Sequence, residues 1–438
     1  MTNTKPFHLG WFVNGTSVQA WGQPFSGNIG TQWQSAEIFK DLARAMERSC
    51  FDYMLLEDNT FIGDAYGGTM EAYLKHAFQG PRQDPFVVAT VLAQATSRLG
   101  IIPTAGTFAY HPYLLARMVG SLDQLTGGRI GVNVVTGTSD RALQNYGFDG
   151  MDEHDHRYEM ADDFLNAAKA LWGTWDPGAI VADTAARTFA DHTKVHRADY
   201  RGPFYATRGP LNSGPLPQGQ PVISQAGGSP RGIRFASQQA DTIVAIQKTP
   251  EKARMYRDKV RAAAAEQGRN PDDIKVMFAV WPIIAAGEAE ARERKEAMER
   301  EVLEHIEIPL AKLSKSTDID FSRIPRDVPL GQLDLSTNGT QNFVDYCVRN
   351  ADSTLEETVL KEALGNGPAM LGTPESVASQ IEEYIQEAGG DGILIGTMGL
   401  TRRIIAEITD GLIPVLQRRG LTRSEYEHTT LRENLLAF

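Results

Sequence analysis

Short apolar runs alternate along this 438-residue chain with longer amphipathic stretches, and that alternation restricts the fold more than any other feature. Apolar runs at 7–13, 51–56, 99–103, 130–136, 221–224, 242–245, 274–285 and 392–396 predict strands. The stretches 35–48, 84–97, 113–125, 158–172, 250–268, 288–304, 374–388 and 402–419 predict helices. In the first of these, Ile38, Leu42, Ala45 and Met46 share one face, while Gly127-Gly128 stops the third. Strands that are apolar throughout, each followed by a helix, predict a parallel sheet covered by helices. So many successive units favour a closed ring, an α/β fold of the TIM (β/α)8 barrel type. The expectation is one barrel domain over 1–438 with two long insertions, at about 173–220 and 306–370. Both read as irregular loops, and in a barrel such loops are expected over the C-terminal face, where ligands bind.

Composition narrows the function. A hydrophobic fraction of 42% with 22% charged residues can fill a large core. The formal net charge of -12 leaves no basic stripe for phosphate backbones, so nucleic acid is not an expected partner. No apolar run is long enough to span a bilayer, and the first eight residues hold no signal-type segment, so a cytoplasmic protein is expected. Cys50 and Cys347 are too few for a disulfide framework or a zinc cage, and the nine histidines lack metal-ligand spacing.

Candidate site residues follow from position. Asp58 closes a predicted strand, where a barrel carboxylate faces the site or else caps a helix or joins a loop ion pair. Thr104, with Gly106 and Thr107, follows another strand and either admits a flat ligand close to the backbone or forms a plain turn. Asn133 is an amide inside an apolar strand, and its hydrogen-bonding atoms need partners from a ligand or from the protein. His154 and Tyr158 lie four residues apart at the start of a helix, where they share a face and can receive a phosphate; the alternative is capping or surface duty. The sharpest local signal is Gln225-Ala226-Gly227-Gly228-Ser229-Pro230. A strand there runs into a glycine pair, a hydroxyl and a helix entered through proline. Freed amides, the Ser229 hydroxyl and the helix start make an anion cradle, with a simple turn as the rival reading. No nucleophile with its base is evident, and no residue is assigned a catalytic role; a phosphate cradle without such a pair suggests that a cofactor carries the chemistry.

Several segments occur in one order in a known family: Phe51 to Asp58, His111-Pro112-Tyr113, Ser121 through Arg129, Asn133-Val134-Val135-Thr136, Glu153 to Tyr158, Gln225 to Gly232, and Ile413 to Gly420. On these the chain resembles, nearly end to end, the bacterial-luciferase-like flavin monooxygenases that act on nitrilotriacetate, EDTA, dibenzothiophene sulfone and long-chain alkanes. The resemblance implies a TIM-like barrel and FMN used as FMNH2, supplied by a separate NAD(P)H:flavin reductase. It also implies O2 as cosubstrate and a homo-oligomer, dimer or tetramer. It places FMN against Asp58, Thr104, His154, Tyr158 and Ser229, with Asn133 near the ring, and it implies no metal. The chain departs from the pattern at Gly15 and Val18, where the alkane enzyme carries its Cys and His, at Gly63, where a Tyr is usual, and at Gly137 after Val135-Thr136. The substrate residues therefore do not carry over. Oxidation of a small heteroatom-bearing compound by C–N, C–S or C–halogen cleavage is the expected activity. A deazaflavin-dependent oxidoreductase and a non-catalytic flavin-binding protein are the alternatives.

Overall fold

Eight short segments of mostly aliphatic residues form strands in the computed structural model, which describes residues 5–14, 21–23, 25–333, 350–363, 365 and 367–438. They are β1 (His8–Val13), β2 (Tyr53–Leu56), β3 (Gly100–Gly106), β4 (Gly131–Val135), β5 (Val222–Gln225), β6 (Thr242–Ala245), β7 (Lys275–Ile284) and β8 (Gly392–Ile395). Each pairs in parallel with the next, and β8 pairs back onto β1 through His8↔Gly392 to Trp11↔Ile395. The sheet is closed, so its edges are paired. A further strand, Ala369–Gly372, extends the outer half of β7 alone.

Eight helices cover the ring: α1 (Glu37–Arg48), α2 (Pro85–Ala95), α3 (Pro112–Thr126), α4 (His154–Trp172), α5 (Pro230–Gln239), α6 (Pro250–Glu266), α7 (Pro374–Ala388) and α8, which begins at Arg402–Ala406. A recurrent local device starts them. Asp84, Ser229, Thr249 and Thr373 each cap the free amides of a first turn whose leading residue is proline. α8 widens into a π-turn over Glu407–Leu412 before continuing as Ile413–Arg418. Pro414 has no N–H to give the preceding turn, which removes one α-helical bond there.

Tyr53, Leu55, Ile102, Val222, Val244, Met277 and Leu394 fill the barrel interior. Leu431 and Leu435, on a short helix whose Thr430 and Glu433 form a capping box, plug its N-terminal end. That leaves the C-terminal end of the strands as the open mouth.

The two interruptions differ from expectation. Residues 173–220 are not structureless: they hold two small antiparallel hairpins, Ile180–Asp183 with Thr188–Ala190 and Tyr200–Arg201 with Ala206–Thr207. Nor do they lie over the mouth. They follow a helix and precede a strand, so the chain leaves from the N-terminal side of the barrel. Tyr200, Phe204 and Tyr205 bond the Asp163 carboxylate of α4, and Gln218 bonds Asp123 of α3, so the segment lines the outer flank of those helices. The second interruption, with the helix Glu288–Glu304 before it, belongs to the connection from β7 to α7, which starts at the C-terminal end of a strand. It contains helices Glu307–Thr317 and Leu355–Ala363 that periodicity did not reveal. Gly15, Val18 and Cys347 lie outside the described residues. Among the described residues, no helix is long and apolar enough to cross a membrane.

Candidate active site

The glycine turn after β5 is built as its sequence suggests. Ser229 holds an extended backbone (φ -74°, ψ 157°), and its Oγ accepts from the Gly232 N–H at 3.0 Å. A side chain at Gly227 would meet the Gln225 amide at 2.8 Å and the Gly232 carbonyl carbon at 3.1 Å, so the bend needs glycine there. Gly228 faces open space. Among the described residues, no carbonyl takes the N–H of Gly228, Ser229 or Arg231, and the helix α5 start adds its own partial positive charge.

α4 begins at His154, one turn earlier than its apolar periodicity shows, and this brings His154 to the same place. Its Nε2 lies 3.3 Å from Ser229 Oγ, across 75 residues of sequence, while Nδ1 contacts Asp155 at 2.6 Å. Tyr158, on the same face, packs its ring against His154 at 5.1 Å. The Tyr158 hydroxyl bonds the Gln225 side chain, and burial makes it a weaker acid than free tyrosine. Arg231 lies over the Tyr158 ring, 5.4 Å from its centre, and pairs with Asp162 at 2.6 Å.

Below this cradle, polar residues replace the aliphatic filling of the barrel. Thr104 donates to the Leu56 carbonyl at 2.7 Å and accepts from Asn133 Nδ2 at 3.0 Å. Thr104, Asn133 and Ser224 stand in register on β3, β4 and β5. Asn133 Oδ1, Ser224 Oγ and Gln225 Oε1 are buried without a hydrogen-bond partner among the described residues. Orphaned polar atoms are costly to bury; those of Asn133 and Ser224 face the barrel interior below the mouth, where a ligand with polar edges would match them, while Gln225, next along β5, turns to the opposite face toward Tyr158.

Asp58, two residues beyond the C-terminal end of β2, stands apart from the cradle, since β3 and β4 separate their strands in the ring. Loss of hydration raises its carboxyl to about 6, against an opposing pull from Arg82. Ionising it therefore costs folding energy, so its contribution falls as pH rises from its ordinary 3.8 through about 6. Asp58→Asn is expected to be more stable than the parent at pH 8, by on the order of 1–2 kcal/mol after allowing for solvent, and equal to it at pH 3.5. Urea titrations at both pH values check this; an equal gap at both would contradict it.

Position in the sequence did not reveal Lys315. The inserted helix Glu307–Thr317 carries its ammonium group to 5.5 Å from the Phe61 ring centre, at the side of the mouth shared with Asp58. Gln225 and Arg157 were also missed as site neighbours. Arg157 donates to the Gly137 carbonyl at 2.6 Å and holds the loop after β4. The glycine at 63 leaves no room for a larger residue, because a Cβ there would come within 2.4 Å of the Tyr73 ring. Among the described residues, no group of three or more His, Cys, Asp or Glu side chains could hold a metal.

Residues 20–392 match the model of the family described as luciferase-like monooxygenase. The chain belongs to that family. Among curated relatives of this luciferase-like monooxygenase, it is 35% identical to a dibenzothiophene-sulfone monooxygenase of Rhodococcus erythropolis (strain XP), covering 99% of this chain and 97% of the relative. It is 32% identical to an N-acetyl-S-(2-succino)cysteine monooxygenase of Bacillus subtilis (strain 168), covering 98% and 96%. A solved structure of a riboflavin lyase with modified FMN and riboflavin superposes with a TM-score of 0.86 at 31% identity, covering 99% of this chain and 96% of the other. The family assignment and the closed parallel barrel agree with the reading of the sequence, and the luciferase-like monooxygenase described here is an oxidoreductase.

Proposed function

We propose that this luciferase-like monooxygenase binds FMN reduced by a separate NAD(P)H:flavin reductase and oxidises a small heteroatom-bearing compound with O2, cleaving a carbon–sulfur or carbon–nitrogen bond. The whole chain acts as one barrel domain in this reading. The observation that carries it is the meeting of Ser229 and His154 at the start of α5, above barrel-floor polar atoms that have no partner among the described residues. That combination fits a flat heteroaromatic ring bearing a phosphate tail. Ser229, His154, Tyr158 and the amides of the 228–231 turn would hold the phosphate. Thr104, Asn133 and Ser224 would meet the polar edges of the ring. Asp58, neutral below about pH 6, can donate a hydrogen bond there and above that pH can only accept one.

Reduced flavin, when bound, supplies the electrons that activate O2. The protein contributes positioning and exclusion of water. Phe61, Phe108, Leu143 and Met151, from the loops after β2, β3 and β4, pack together at the rim and keep the mouth apolar. The sulfur compounds in the names of the two curated relatives support a sulfur substrate.

Oxygen uptake and product formation with dibenzothiophene sulfone and N-acetyl-S-(2-succino)cysteine test the reading, with FMN reduced in situ by an added reductase. Uptake coupled to product is expected only when reductase, NADH and FMN are all present. Turnover with NADH and no reductase would overturn the two-component scheme. Hydride transfer from a reduced deazaflavin without oxygen uptake would overturn the oxygenase.

A further inference from the structure

We propose that Lys315 selects substrates bearing a carboxylate or a similar organic anion, its ammonium group standing over an aromatic recess at the mouth with no ion-pair partner among the described residues. The proposal deepens the oxygenase reading above by naming a substrate class, but anion binding can be measured whether or not that reading holds.

Three geometric observations support it. Helix Glu307–Thr317 is firmly placed. Glu307 pairs with Lys75 at 3.2 Å and His76 at 2.9 Å, Tyr73 donates to the Ala311 carbonyl at 3.0 Å, and Arg141 bridges Asp64 and Asp318. Lys315 is thus held over the mouth by contacts on both sides of it. The recess beneath is aromatic: Phe61 lies under the ammonium, and Phe108 packs edge-on against Tyr146 at 5.4 Å. Among the described residues, no carboxylate lies within ion-pair distance of Lys315 Nζ.

The surrounding charges do not silence it. Glu57 is the strongest acidic influence on it, yet it is engaged by Arg82 at 3.0 Å. Asp58 is held partly neutral near pH 6, and Lys312 and Arg82 add further positive charge. Burial lowers the Lys315 ammonium to about 8, with Glu57 opposing, so it is charged at neutral pH but poorly compensated. An incoming anion would restore the balance, and the aromatic floor would cover the apolar body that carries it.

Isothermal titration of the flavin-free protein with benzoate and benzamide tests this. Benzoate is expected to bind about tenfold or more tightly than benzamide, as a charge-assisted bond in a half-buried recess allows. Lys315→Gln should abolish the preference while leaving benzamide and FMN affinities unchanged, and Lys315→Arg should retain it. The preference should fade above pH 8, as the ammonium gives up its proton. No preference in the parent, or the same preference in Lys315→Gln, overturns the proposal. Loss of FMN binding in the parent would instead count against the flavin reading and leave a measured anion preference standing.

Discussion

Replacing Ser229 by Asp raises the dissociation constant for FMN about 100-fold or more and leaves that for riboflavin nearly unchanged. The substitution suits the test because Asp caps a helix as well as Ser does, so α5 should keep its first turn. What changes is charge. Ser229 Oγ sits 3.3 Å from His154 Nε2, in the turn whose Gly228, Ser229 and Arg231 amides meet no carbonyl among the described residues. A carboxylate there would face a phosphate across roughly 4 Å, a repulsion of about 4 kcal/mol at the effective dielectric of a protein surface. Ser229→Ala should cost only about tenfold, the worth of one hydrogen bond to a charged group. Flavin fluorescence titration reads both ligands. Equal weakening of FMN and riboflavin, or no weakening of either, would mean that the phosphate lies elsewhere.

The second large effect concerns stability at the other end of the barrel. Asp52→Ala should lose about 3–5 kcal/mol, because it strips the partner from a buried arginine. Asp52 is 2% exposed and joins three separate parts of the chain. It accepts from the Leu9 N–H at 2.8 Å, contacts His8 Nδ1 at 3.1 Å and pairs with Arg423 Nη2 at 2.8 Å. Arg423 in turn donates to Asn434 on the helix that plugs the barrel. Burial alone would raise the Asp52 carboxyl, but His8, Arg423 and the Leu9 amide together hold it below 3.8. With the folded value depressed, the stabilisation is complete above 3.8 and is lost as pH falls through the lower folded value. Urea unfolding of the parent and Asp52→Asn should therefore differ most at neutral pH and converge in acid. A gap that widens in acid would show that the network acts through packing and not through charge.

Much of the architecture was legible because its signals are local. β6, α7 and the helix Glu288–Glu304 fall where period and capping place them, since a strand's aliphatic run and a helix's first turn each depend on neighbours within a few residues. The Gly-Gly-Ser-Pro bend was legible for the same reason: each residue type there answers a local backbone demand. Helix Glu307–Thr317 was not, because its burial face is set by Tyr73 and the 58–83 loop and not by its own period. The side from which 173–220 departs is legible as well, because the stretch lies between a predicted helix and a predicted strand; its seat on α3 and α4 is not, since Asp123 and Asp163 lie far from it in sequence.

From its amino acids alone this chain is a parallel, helix-covered barrel with an anion-ready turn after β5 and a set of motifs that mark its family. The tertiary structure decided which distant residues meet: His154 with Ser229, Asp52 with Arg423, Lys315 with Phe61. Local conformation follows from side-chain shape and the nearest hydrogen bonds. A meeting between residues tens or hundreds of positions apart follows only when closure of the ring fixes every strand end relative to every other.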